Sequence, residues 1–303
     1  MKNLISSETY KWMKSKSFKV CTIVGCGLAI FSVIMFLILS IIMDEVNKEM
    51  AAELGEDYEA SQEMMIEEYK AMGLSDSEIA MVTGVYDGEM MLSMSISQTD
   101  IQLLIAIFIA IFVAGEFSNG TIKMIVSKGY SRAQIYWAKF ISGIISANIM
   151  TVIVVIVTTL LGCIIWGWND PVTGAAAGVL DVLKFLLVQF ALNTSLTAMF
   201  IGCSMMFRSL GISIAVTIAT YSFGGIIFSL MDAIVKGLCQ VAEYDPSKLP
   251  FLPSEAWIVQ AVANTSTLDL SNHDLIVGLV VSLVYAALFT FIGMWSFKKN
   301  DIK

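Results

Sequence analysis

Charge is what this chain has least of. Of its 303 residues only 15% are Asp, Glu, Lys or Arg, whereas 57% are hydrophobic, and the mean hydropathy is +0.77. Soluble domains average about 25% charged and 45–50% apolar residues. A water-soluble core is therefore excluded, because too little polar surface remains to cover the apolar part. Histidine is almost missing. The single residue, His273, speaks against a histidine-based active site. The five cysteines, Cys21, Cys26, Cys163, Cys203 and Cys239, form no C-x-x-C pair, so neither a metal site nor a disulfide framework is implied. No G-x-x-x-x-G-K-[ST] phosphate loop occurs, and ATP hydrolysis by this chain is not expected. The apolar runs also lack interior charge, which argues against a proton relay or coupled-ion site.

What is present is a set of long apolar runs, the mark of segments dissolved in lipid. They predict an all-α polytopic membrane protein with six transmembrane helices, at 20–43, 101–114, 140–166, 179–207, 210–231 and 275–297. The second run is short and extends upstream toward Leu92. The first is too long for the apolar region of a cleavable signal and reads as a retained span. Residues 1–19 carry five lysines and one acid, Glu8, interleaved with apolar residues, a pattern that suits an amphipathic helix on an anionic membrane face. Residues 44–100 form an acidic, methionine-rich helical insertion, with a capping-box spacing at Ser75 to Glu78. Asn169, Asp170 and Pro171 mark a turn between spans three and four. Residues 232–274 hold three of the four prolines, and Asp232 to Glu243 and Ser254 to Asn264 read as two short helices.

Six spans place both termini on one side. The N-terminal segment, the 115–139 loop, Arg208 and the tail together hold 13 Lys/Arg and 3 Asp/Glu, against 5 and 23 elsewhere. Lysine and arginine collect on the cytoplasmic side, so both termini are expected in the cytoplasm of a plasma-membrane protein.

The 115–139 loop is the most informative segment. Asn119-Gly120 signals a turn, Thr121 to Ser127 can form a short helix, Lys128-Gly129 can end it, and Ser131 can cap the next helix. Glu116 either pairs with Lys123 or marks the membrane boundary. The stretch Glu116-Phe117, Gly120-Thr121-Ile122-Lys123, Ser127-Lys128-Gly129, Ser131-Arg132 and Lys139, together with the six-span plan, resembles the type-two permease family of ATP-binding cassette exporters. The resemblance implies that this loop is a coupling helix, with Glu116, Phe117, Gly120, Thr121, Lys123, Lys128, Gly129 and Arg132 contacting or shaping the contact with a separate ATPase subunit. It further implies a non-enzymatic subunit paired with a second permease copy, and ATP and magnesium bound by the partner rather than by this chain. A half-inserted helical pair would lie before span six. The cargo would be an amphipathic peptide, antibiotic or lipid-like molecule, and no nucleic-acid partner is implied.

Two polar stripes stand at helical spacing. Gln189, Asn193 and Thr197 lie on span four, and Ser213, Thr217 and Thr220 on span five. Each can line a substrate pathway or bond helix to helix. In the acidic insertion, Glu63, Glu67 and Glu68 are candidates for drawing a cationic peptide, or belong to a solvated hairpin. A rival reading is a membrane-anchored peptide sensor or immunity protein without transport. An intramembrane enzyme is a weaker rival, since no nucleophile–base set is spaced within the spans.

Overall fold

The computed structural model describes residues 1–54, 58–72, 79, 82–97, 99–168, 178–241, 253–265, 268 and 270–299. The regular elements among these residues are all helical. They are α1 (Lys2–Lys14), α2 (Lys16–Leu54), α3 (Tyr58–Ala71), α4 (Gly88–Ser97), α5 (Thr99–Ser118), α6 (Thr121–Ser127), α7 (Arg132–Trp166), α8 (Val179–Phe207), α9 (Leu210–Val241), α10 (Ile258–Asn264) and α11 (Asn272–Lys299), with a 3-10 turn at Pro253–Ala256. The run Gly88–Ser118 and the helices α2, α7, α8, α9 and α11 are long and apolar enough to cross a membrane by length and composition. The chain is thus an all-α, multi-span membrane protein.

The apolar runs become helices because a backbone in lipid must satisfy its own hydrogen bonds. Their ends are set by local chemistry. Between α1 and α2, Ser15 is extended (φ −66°, ψ 140°), and its Oγ accepts a hydrogen bond from the Phe18 amide at 3.1 Å, capping α2.

Helices α5, α7 and α8 form the centre. Phe108, Ile109 and Val113 of α5, Met150 and Val154 of α7, and Val188, Leu192, Leu196 and Phe200 of α8 are buried in one cluster. The most enclosed span is α8, and α2, α9 and α11 are far more open. Their outward faces are large and apolar, including Phe31, Phe223, Ile227, Leu283 and Phe291. Lipid tails are as apolar as leucine, so such faces carry no exposure cost in a bilayer. The α8–α11 contact is close because small residues meet there. A Cβ on Gly293 would lie 3.0 Å from the Cα of Gly202, and Ser195 Oγ donates to the Ser282 carbonyl at 2.7 Å.

Helices α2 and α9 run about ten residues past the C-terminal limits expected of them. Helix α2 continues beyond Met43 through Leu54, and α3 folds back on it. There Asp44 accepts hydrogen bonds from the Tyr58 hydroxyl and, at 2.6 Å, from Lys48. Burial and the bond to Asp44 push the Tyr58 phenol up to about 12. Helix α9 continues through Asp232 to Val241, so the separate short helix expected from Asp232 is corrected. Asp232 is buried on α9, and its carboxylate accepts from the Ser254 amide at 2.8 Å, holding the start of the 3-10 turn. The helix expected over Ser254–Asn264 is likewise divided at Trp257. That indole stacks on Phe228 at 5.3 Å and fills the space above Gly224, where a Cβ would fall 2.1 Å from the ring. The Ser75–Glu78 capping spacing, the Asn169–Pro171 turn and Pro246 and Pro250 lie outside the described residues.

Candidate functional site

The basic segments singled out from the sequence meet at one end of the helix bundle. Helix α1 lies against the start of α7, and α6 connects the end of α5 to α7. The arginines Arg132 and Arg208 reach the last turn of α11. Arg132 Nη1 donates to the Lys298 carbonyl at 2.9 Å, and Arg208 Nη2 to the Ser296 carbonyl at 3.0 Å. The final carbonyls of a helix lack intrahelical donors and carry partial negative charge, so cations satisfy them twice over. Phe117 packs edge-on against Phe297 at 5.8 Å, beneath the Arg208 guanidinium at 5.6 Å from the Phe117 ring.

Helix α6 is the short helix the loop residues predict. It starts after Gly120 (φ 69°) and is followed by Gly129 (φ 86°), both in the left-handed region that glycine adopts without strain. Ile122 and Ile125 are buried beneath it, while Lys123, Met124, Ser127, Lys128 and Gly129 are exposed and Thr121 is half-buried. The next helix opens with a capping box: Ser131 Oγ accepts from the Gln134 amide at 3.3 Å, and Gln134 Oε1 accepts from the Ser131 amide at 3.0 Å.

At the base of the loop that carries α6 lies a ring of four charges. Glu8 Oε1 meets Lys11 Nζ at 2.6 Å and Glu8 Oε2 meets Lys139 Nζ at 3.0 Å. Glu116 Oε1 meets the same Lys11 at 3.3 Å and Glu116 Oε2 the same Lys139 at 2.7 Å. The side chain of Lys139 is 0% exposed, that of Glu8 1% and that of Glu116 15%. Lys139 also sits 4.8 Å from the Phe112 ring centroid, one turn before Glu116 on α5. Burial pushes the Glu8 carboxyl up, but Lys139 and Lys11 outweigh it and hold the group below its ordinary value. Burial depresses Lys11, and the bonds to Glu8 and Glu116 more than reverse this, raising it. Glu116 therefore pairs with Lys11 and Lys139, whereas Lys123 points outward. Sequence reasoning left Glu8, Lys11 and Lys139 out of the site, although Lys139 belongs to the stretch that carries the family resemblance. The available signal was that Glu8 and Glu116 are isolated acids within strongly basic segments.

The remaining candidates lie elsewhere. Gln189 Nε2 donates to the Thr265 carbonyl at 2.6 Å and to Thr265 Oγ1 at 3.1 Å. Asn193 Nδ2 donates to Asn148 Oδ1 and Thr151 Oγ1, both at 3.1 Å, and Thr197 donates to the Asn193 carbonyl at 2.8 Å. The α8 stripe is thus bonded within the bundle, to α7 and to the segment after α10. On α9, Ser213 and Thr217 are buried and Thr220 is half-buried. Next to Thr220, one turn after Thr217, Tyr221 donates to Gln102 of α5 at 2.5 Å. Glu63, Glu67 and Glu68 all lie on α3, and the latter two are exposed. Among the described residues, no group of three or more His, Cys, Asp or Glu is placed to hold a metal ion.

A protein family described as "protein of unknown function (DUF2705)" matches residues 64–303. The chain belongs to this family. The match begins within α3 and takes in α6 and, from the ring, Glu116 and Lys139, while Glu8 and Lys11 precede it. No curated protein matches the chain.

Proposed function

We propose that this chain is the membrane-spanning subunit of an ATP-driven exporter and that α6 is the surface on which a separate nucleotide-binding subunit docks. The observation that carries this reading is the form of α6. It is a short helix strung between two spans, anchored through Ile122 and Ile125 and presenting Lys123, Met124, Ser127 and Lys128 outward. Exposed lysines around an exposed methionine suit an acid-rimmed apolar cleft on a soluble partner. The resemblance of residues 116–139 to the coupling loop of type-two permeases points the same way. In this reading α6 faces the cytoplasm with both termini, ATP and magnesium stay in the partner, and a second permease copy completes the assembly. The cargo is an amphipathic peptide, antibiotic or lipid-like molecule moved outward. The turn Pro253–Ala256 with α10 would be the half-inserted outer pair, and the acidic α3 region the extracellular insertion. Ser213 and Thr217 are better candidates for a pathway lining than the α8 stripe. Their buried hydroxyls have no partner among the described residues, whereas Gln189 and Asn193 are already bonded.

Gentle purification from native membranes tests the reading. A cassette ATPase is expected to co-purify with the wild-type chain, and Lys123→Glu/Lys128→Glu is expected to lose it while keeping its elution profile. Absence of any nucleotide-binding subunit from the wild-type assembly would overturn the proposal. A membrane-anchored peptide sensor is the second reading, favoured by the exposed carboxylates of Glu67 and Glu68 on α3. It expects peptide binding without ATP-dependent movement.

A further inference from the structure

The ring of Glu8, Lys11, Glu116 and Lys139 is more than a stabilising contact. Burying an ion costs several kcal/mol even after relaxation, and replacing a buried ion pair with apolar residues is often neutral or favourable. A ring of this kind is therefore a poor way to gain stability, and a good way to allow only one arrangement. Its order is strict. Each carboxylate spends one oxygen on Lys11 and the other on Lys139, so charge alternates around the ring and sums to zero. Its members come from three elements: Glu8 and Lys11 from α1, Glu116 from the end of α5 and Lys139 from the first turns of α7. The Glu116–Lys139 pair at 2.7 Å closes the base of the loop that carries α6, and α1 is bolted across that closure by the two remaining members.

We infer that this ring is a register lock: it clamps the base of the α6 loop to α1, so that α1 and α6 move as one body. Lys139 is the positioning residue, since it is fully buried and holds both acids. A helix slide by one turn would leave at least one carboxylate facing apolar core without a cation, a state with a large desolvation penalty. The lock consequently has a fixed engaged geometry and no graded intermediate. Its effect on ATPase docking rests on the function proposed above, but the lock itself does not.

The test uses the full-length protein in lipid nanodiscs, its native cysteines replaced and spin labels placed at Ser7→Cys on α1 and Met124→Cys on α6, both exposed positions. With the ring intact, a single narrow distance is expected. The variant Glu8→Gln/Lys11→Met removes both pairs that cross from α1 and leaves the neutral Glu116–Lys139 pair, so it is expected to stay folded and to lose that single distance to a broad distribution. Glu116→Gln/Lys139→Met breaks the same two crossing pairs from the loop side, leaving the neutral Glu8–Lys11 pair within α1, and serves if the first variant does not fold. A distance that stays narrow in a folded ring-open variant overturns the lock. A narrow wild-type distance that broadens in the variants, in a protein that recruits no ATPase, leaves the lock standing and removes the docking function.

Discussion

Lys139 is a single ammonium surrounded by two carboxylates and an aromatic face, with no exposed surface. Removing one member of a buried pair leaves the other charge uncompensated, which costs about 3–5 kcal/mol. Lys139→Met is therefore expected to lower the melting temperature in detergent sharply. Adding Glu8→Gln is expected to restore part of the loss, and strict additivity of the two changes would count against a shared ring. The pH dependence follows from the same group. The Glu8 carboxyl is held below its ordinary 4.5, so its contribution is complete above that value and disappears as pH falls through the folded value. Lys11 is raised above 10.5, so its share persists below that pH and is lost as pH rises through the folded value. Acid melts should show a steeper loss for the wild-type protein than for Glu8→Gln. The sequence displays Glu8 and Glu116 as solitary acids among lysines, but pairing is not legible there: Glu8 and Lys139 are far apart in the chain, and only the crossing of α1 over α7 brings them to 3.0 Å.

At the scale of elements, local rules account for much of what is seen. The turn residues around Asn119-Gly120 and Lys128-Gly129 delimit α6, and Ser131 caps α7 through a full capping box. Helix continuity is less local. Asp232 reads as a break because an acid ends the apolar run of span five, yet α9 continues through it, since the carboxylate finds the Ser254 amide from a later segment. The Gly224–Trp257 contact has the same character. Gly224→Val is expected to displace the indole, because its Cβ would lie 2.1 Å from the ring, and overpacking of this kind costs about 1–3 kcal/mol. Loss of Trp257 fluorescence shift and a lower melting temperature would register it, and Trp257→Ala in the same chain should relieve the clash.

For the whole molecule, the decisive quantity is which side faces which compartment. The N-terminal segment, α6, Arg132, Arg208 and the end of α11 gather at one end of the bundle. The function proposed above turns that end to the cytoplasm, a proposal that rests on the excess of lysine and arginine there. In intact cells, Glu67→Cys is expected to react with a membrane-impermeant maleimide added outside, whereas Lys128→Cys should react only after permeabilisation. The reverse pattern would invert the topology.

Sequence alone determined that this is a helical protein of the bilayer, how many long apolar helices it has, and where its basic loop folds into a short helix. These follow from the thickness of a membrane and from hydrogen bonds within a few residues of one another. Tertiary structure decided that Glu116 turns inward, that Gln189 and Asn193 spend their hydrogen bonds on neighbouring segments of the bundle, and that α1 is tied to the loop base by two ion pairs, Glu8–Lys139 and Lys11–Glu116. Those outcomes depend on which distant side chain arrives opposite a polar group. In a low-dielectric interior the arriving partner settles whether a buried charge is tolerated at all.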